Sequence, residues 1–273
     1  MPTTRDQALQ QASLALRMQQ FERAAQLASE ILKSNRTDRN AVLVLAHALM
    51  AQSRHAEAIA PLQRVLRRND DAEIETLLAA MLCGSKRAAE GIALLRRTAG
   101  RRPPYLPAFQ ELAGQLAKKG QLPEAIGTVK DALALAPESV ELKIDLGRLL
   151  LDNNDRAAAR DVLMAAREAA PGRPDILTEL GRALLLDCEY AAAADAFRHA
   201  LALRPDDGQA RANLAACLLE AGERENGEAA LRSAVRGRPQ MLGRAAWALC
   251  ASSHGRFFFK PSAVAKFLGR EPG

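Results

Sequence analysis

Apolar residues recur along this chain at helical spacing, not at strand spacing. Ile126, Val129, Ala132 and Leu133 share one helical face, as do Ala194, Phe197, Ala200 and Leu201. Such amphipathic stretches of about a dozen residues come in pairs, here termed A and B. Short polar turns join the two members at residues 52–55, 118–121, 152–155 and 221–224. The pairs themselves repeat. Leu146, Gly147 and Arg148 stand where Leu180, Gly181 and Arg182 stand one unit later, followed by Ala159 and Ala193 and closed by Pro171 and Pro205. Stepping by 34 residues from Pro171 reaches Pro137 and Pro103 upstream, and Pro205 and Pro239 downstream. Proline cannot donate the interior helical hydrogen bond and clashes with the preceding turn, so each of these residues stops a B helix.

Unit starts fall near Arg5, Arg39, Ala72, Leu106, Val140, Pro174 and Gly208, with a further start at Leu242. All steps are 34 residues except one of 33. The pattern predicts an all-α chain with seven helix-turn-helix repeats over 5–239, a capping helix over 240–254 and an aromatic-rich C-terminal tail over 255–273. Gly120 and Gly222 occupy the same place in their turns, where a helix C-terminus calls for a left-handed residue.

Composition agrees with this reading. The chain is 48% hydrophobic but only 4% aromatic, so its core is built from Ala and Leu, which are strong helix formers. The four cysteines (Cys83, Cys188, Cys217, Cys250) are too dispersed for a disulfide framework or a zinc module. The N-terminal stretch has no apolar targeting region, and no uncharged apolar run approaches membrane-spanning length. These features predict a soluble, cytoplasmic protein with no membrane insertion. Arg outnumbers Lys 30 to 8, which we read as the codon signature of a GC-rich bacterial genome.

In these residues the chain resembles the tetratricopeptide repeat family, whose 34-residue unit has Leu-Gly in helix A, an aromatic near the turn, Ala early in helix B, a mid-helix aromatic and a closing Pro. Leu146-Gly147 and Leu180-Gly181 match the first element, and Leu45-Ala46, Leu78-Ala79, Leu112-Ala113 and Leu214-Ala215 match it with Ala for Gly. Phe21 and Tyr190 match the turn aromatic, Ala24, Ala58, Ala125, Ala159 and Ala193 the helix B alanine, and Phe197 the mid-helix aromatic. Two places depart, Gly91 and Gly227, where glycine replaces that alanine at about 1 kcal/mol of helix propensity each. On propensity alone, Gly227→Ala should be neutral or mildly stabilising. The resemblance implies a right-handed α-α superhelix whose A helices line a concave, peptide-binding groove.

No enzyme signature is present: there is no Gly-rich phosphate loop after a strand, no zinc-protease helix motif and no nucleophile elbow. The histidines are scattered, and Cys250 with His254 would supply two ligands, which do not make a zinc site. We therefore expect no cofactor, no bound metal and no catalysis. The expected function is a non-catalytic protein-protein interaction scaffold that binds a peptide or partner segment in its groove. Carrying the family's groove-facing places onto this chain gives Arg148, Arg182, Ile144, Leu151, Thr178, Leu185 and Asn213. Arg148 and Arg182 occupy the same place one repeat apart, where their guanidinium forks could capture carboxylates, flanked by Ile144, Leu151 and Leu185. Asp145 and Glu179 are alternative partners for them within the chain. The chaperone-tail clamp of some family members is not recognisable.

Charge suggests other readings. Residues 138–207 carry 14 acidic and nine basic side chains, while 223–273 carry four acidic and nine basic. An acidic middle beside a basic end suits a self-assembling homo-oligomer, and such arrays also serve as accessory modules of larger enzymes. Nucleic-acid binding is disfavoured despite a sequence pI near 9.4, because the acidic middle interrupts any continuous basic stripe. The tail carries Phe257, Phe258 and Phe259, followed by a short helix with Val264, Phe267 and Leu268 on one face. It either folds back over the last helix pair or docks onto another chain.

Overall fold

The computed structural model describes residues 4–258 and 260–269, so Phe259 of the expected tail docking element lies outside the described residues. All regular structure among the described residues is helical. The chain divides into two compact units, residues 1–132 and 133–273. Unit 1 holds α1 (Thr4–Arg17), α2 (Phe21–Ser34), α3 (Arg39–Ala51), α4 (His55–Leu66), α5 (Ala72–Cys83), α6 (Ala88–Ala99), α7 (Leu106–Lys118) and most of α8 (Leu122–Leu135). Unit 2 holds α9 (Val140–Asp152), α10 (Arg156–Ala169), α11 (Pro174–Leu186), α12 (Tyr190–Leu203), α13 (Gly208–Glu220), α14 (Arg224–Val235), a 3-10 turn (Pro239–Met241), α15 (Leu242–Ala251) and α16 (Pro261–Leu268). Odd-numbered helices are the A members of the pairs and even-numbered ones the B members.

Side-chain caps start several A helices. Asp38 accepts from the Ala41 amide at 3.1 Å, Asp71 from Glu73 and Ile74, Ser139 from Leu142, and Asp207 from Ala210. Each satisfies an amide that the first helical turn leaves without a partner. The A helices end through a left-handed residue, which recurs at Gln19, Ser53, Gly120, Asn154, Cys188 and Gly222. The next amide in each case returns to a carbonyl five residues back, as from Arg54 to Leu49 and from Asp155 to Leu150, closing the helix end. Among the seven repeats, the third turns through residues 84–87 with no left-handed residue.

Within a pair, helices A and B cross so closely that one of them must be small at the crossing. Gly181 faces the ring of Phe197, where a methyl group would sit 2.9 Å from the ring carbons, and at Gly147 it would sit 2.6 Å from Leu163. In the third and seventh pairs the roles reverse. Helix A there carries Ala79 or Ala215, and the glycine moves to helix B as Gly91 or Gly227. A methyl on Gly91 would lie 2.6 Å from the Ala79 carbonyl oxygen, and one on Gly227 would lie 2.7 Å from Leu219, which is fully buried. The expectation that Gly227→Ala is neutral or stabilising is thus overturned. The helix-propensity gain is opposed by a collision with the partner helix, which propensity does not see.

Between pairs of the same unit, a B helix packs on the following A helix, as α2 does on α3 and α10 on α11. Successive A helices also touch within each unit: α1 with α3, α3 with α5, α9 with α11, and α11 with α13. The A helices therefore form one continuous face of each unit.

The end of unit 2 forms a further pair. Helix α15 starts 34 residues after α13, and α16 packs on α14 and α15 in the place of a B helix. Val264 and Leu268 are buried with Leu231 and Leu249. The Phe267 ring lies 5.4 Å from that of Phe258, and the guanidinium groups of Arg232 and Arg256 lie 4.5 and 5.1 Å from its centroid. Glu228, 4% exposed, accepts from Arg224 at 3.2 Å and Arg256 at 2.5 Å. Burial pushes its carboxyl up, but Arg256 and Arg224 outweigh burial and hold it below the usual range. Of the two readings of the tail, the fold-back holds for its described part. Phe257 remains 75% exposed.

The crossings can be tested by unfolding. Gly181→Ala and Gly227→Ala should each lose about 1 to 3 kcal/mol, as overpacked sites do. Phe197→Leu should cost less in the Gly181→Ala background than alone, because it opens space for the new methyl. Additive losses in denaturant titrations would show that Gly181 and Phe197 are not packed against each other.

Candidate functional site

Helices α9 and α11 place Arg148 and Arg182 on the A face of unit 2, and the two are joined by one carboxylate. Glu179, 7% exposed, accepts from Arg148 Nε at 2.9 Å and from Arg182 Nη1 at 2.6 Å, one arginine on each oxygen. Asp145 adds a longer contact to Arg148 at 3.4 Å, and Asp152 accepts from Arg182 at 3.0 Å. Burial pulls the Arg182 guanidinium down, but Glu179 and Asp152 more than compensate and raise it. The two forks are therefore tied to the chain's own carboxylates, to Glu179 and Asp145 as the sequence allowed and to Asp152 in addition.

The other candidate residues sort by burial. Ile144 and Leu151 are only 3% and 4% exposed, because α9 is packed by both α10 and α11, so they cannot form the apolar flank expected of them. Leu185 is half-buried. Thr178, also half-buried, spends its hydroxyl on the Pro174 carbonyl at 2.9 Å. Asn213 is buried and accepts from Gln209 at 3.0 Å.

The sequence reading missed Arg244 on α15. It donates to the side-chain oxygen of Gln209 and forms no ion pair among the described residues. Partial burial, and after it the positive charge of Arg182, push its guanidinium down. Arg244 thus adds a cation beside Arg182 that no carboxylate among the described residues pairs with. Treating α15 only as a cap removes its surface from the set of candidate sites. The 34-residue step to Leu242 is the signal that could have restored it.

Among the described residues, no three His, Cys, Asp or Glu side chains converge as a metal site, and no helix is long and apolar enough to cross a membrane. Tetratricopeptide repeat models match residues 116–183, 184–252 and 9–74. The chain belongs to the tetratricopeptide repeat family. No curated protein sequence matches it.

Solved structures of similar fold include the APC/C hetero-tetramer Cut9-Hcn1, at 16% identity over 97% of this chain with a TM-score of 0.62. This chain spans 56% of the length of that one. The type IV pilus biogenesis factor PilW matches 75% of this chain and 96% of its own at 22% identity and a TM-score of 0.60. Human IFIT1, in a structure titled as a dimer with PPP-AAAA, matches 91% of this chain and 64% of its own at 15% identity and a TM-score of 0.67. At these identities the likeness is one of fold.

The shared carboxylate makes a specific demand on stability. Arg182→Ala should cost about 1 to 3 kcal/mol, because Glu179 stays buried with one partner fewer. In a Glu179→Gln background most of that loss should disappear. Equal losses in both backgrounds, measured by denaturant unfolding, would mean that Arg182 does not act through Glu179.

Proposed function

We propose that this tetratricopeptide repeat protein is a non-catalytic scaffold of the cytoplasm, and that the A face of unit 2 binds an acidic segment of a partner protein. Repeats of this family point to protein interaction in general, and Cut9-Hcn1, of similar fold, is a hetero-tetramer. The observation that carries the finer reading is Arg244. It stands beside Arg182 with only the amide of Gln209 as a described partner, so a carboxylate arriving there gains a charge-assisted bond without displacing one. Arg148 and Arg182, positioned by Glu179, line the approach. Thr178 and Leu185 lie half-buried on the same helix as Arg182 and would contact the body of the segment, while Asn213 holds Gln209 in place.

A second reading, self-association, is favoured by Trp247, the only tryptophan, which is 75% exposed on α15.

Affinity capture with the wild type and with Arg244→Ala, at low and high salt, separates these readings. Arg244→Ala leaves no described carboxylate unpaired, so loss of a partner would report on binding and not on folding. The reading expects a partner retained at low salt, weakened at high salt and lost with Arg244→Ala. An unchanged partner set would discard the A face. A mass that doubles in light scattering and halves with Trp247→Ala would put self-association in its place.

A further inference from the structure

On the side of unit 2 formed by B helices, a cleft of about 410 Å³ opens between α10 and α12. Leu177, Leu180 and Leu184 of α11 line its floor, and Ala192 and Ala196 of α12 line one wall. Because the wall residues are small, the leucines remain reachable. Met164 of α10 lies 43% exposed at the lip. This volume falls in the range of about 300 to 1,000 Å³ usual for ligand-sized sites.

The rim is charged unevenly. Arg160 is occupied by Asp187 at 3.1 Å and Glu189 at 2.6 Å, and Asp195 is occupied by Arg198 at 2.8 Å. Arg167 and His199 are exposed and make no ion pair among the described residues. The cleft therefore offers an apolar floor beside uncommitted cationic or protonatable groups.

The equivalent cleft in unit 1, between α2 and α4, shows that this is not a property of every repeat. Leu45 and Leu49 take the places of Leu180 and Leu184 there. Its rim mixes Glu22, Glu30 and Glu57 with Lys33 and Arg54, and Pro61 stands where α12 has Ala196. Arg54 in that cleft is held by Glu57 at 2.7 Å and Glu22 at 3.1 Å.

We propose that the cleft between α10 and α12 is a second docking site, for a segment of a partner protein that lays an aliphatic side chain on Leu177 and Leu184 and presents a carboxylate to Arg167. Charge complementarity selects the occupant, since an acidic flank meets the uncommitted Arg167 and His199 here, whereas in the unit 1 cleft Arg54 is already held by Glu22 and Glu57, and Lys33 is offset by Glu30. A nucleic acid fits less well. The cleft has no Phe, Tyr or Trp for base stacking, and it includes Asp195. This site is separate from the A face and does not depend on it.

Methyl NMR on the full chain, labelled at Met and Leu, tests the site with two short capped peptides. One carries a single Leu flanked by Glu, and the other carries the same Leu flanked by Lys. The Glu peptide should shift the Met164, Leu177 and Leu184 methyl signals saturably while leaving Leu45 and Leu49 unmoved. The Lys peptide should bind at least about fivefold more weakly, and Arg167→Ala with His199→Ala should weaken the Glu peptide by about the same factor, the scale of an exposed ion pair. Ala196→Trp should fill the cleft and abolish the response, whereas Arg244→Ala should leave it unchanged. Equal responses to both peptides, shifts that spare Met164, Leu177 and Leu184, no loss in the Arg167→Ala/His199→Ala variant, or no shift with either peptide would overturn the proposal.

Discussion

The structure depends on how closely two helices can cross within a pair. Dispersion and apolar burial grow as backbones approach, but side-chain volume sets the limit, so the pair needs a small residue at the crossing. Either helix can supply it. In the fifth and sixth pairs helix A is the small one, and Leu163 or Phe197 of helix B fills the space. In the third and seventh pairs helix A keeps alanine and helix B becomes glycine. What recurs is a small residue on both helices at the crossing, alanine on each in the second and fourth pairs and one glycine with one alanine in the third, fifth, sixth and seventh. A repeat shaped in this way buries one side of each helix against its partner and leaves other sides for its neighbours, so stacking is required to complete the core.

Charge is arranged around the same stack. Glu75, Glu179 and Glu228 are buried carboxylates, and each is held by at least two arginines. Some of these arginines come from the neighbouring helix pair, as Arg148 does for Glu179 and Arg256 for Glu228. Removing a partner leaves a desolvated charge, so these clamps favour one register of stacking even where their net contribution to stability is small. Other cations stay outside these clamps. Arg244 on the A face and Arg167 on the B side are two of them, and the functional proposals rest on what those groups lack.

The fold was largely legible in the sequence because its determinants recur in phase. Prolines follow the B helices of the third to seventh pairs, alanines and glycines mark the crossings, and Gly120 and Gly222 mark the left-handed turn place. That same place is filled by Gln19, Ser53, Asn154 and Cys188, which only the spacing, not residue type, could identify. Gly91 and Gly227 looked like weak points because propensity is a property of one helix, whereas their role depends on Ala79, Cys83 and Leu219 in the partner helix. The site was less legible. Arg148 and Arg182 could be placed side by side, but the choice between a ligand and Glu179 depends on side-chain reach across two helices. Burial of Ile144 and Leu151 likewise depends on contacts from α10 and α11, which a face assignment along α9 alone does not contain.

The central functional claim is that the A face of unit 2 receives a partner, and site-specific photo-crosslinking addresses it most directly. A benzoylphenylalanine would replace Thr178 on α11, beside the Arg182 network, or Arg64, exposed on α4 of unit 1. The account predicts a discrete crosslinked partner from position 178 that disappears with Arg244→Ala, and none from position 64. Crosslinks from position 64 alone, or crosslinks from position 178 that persist without Arg244, would contradict it.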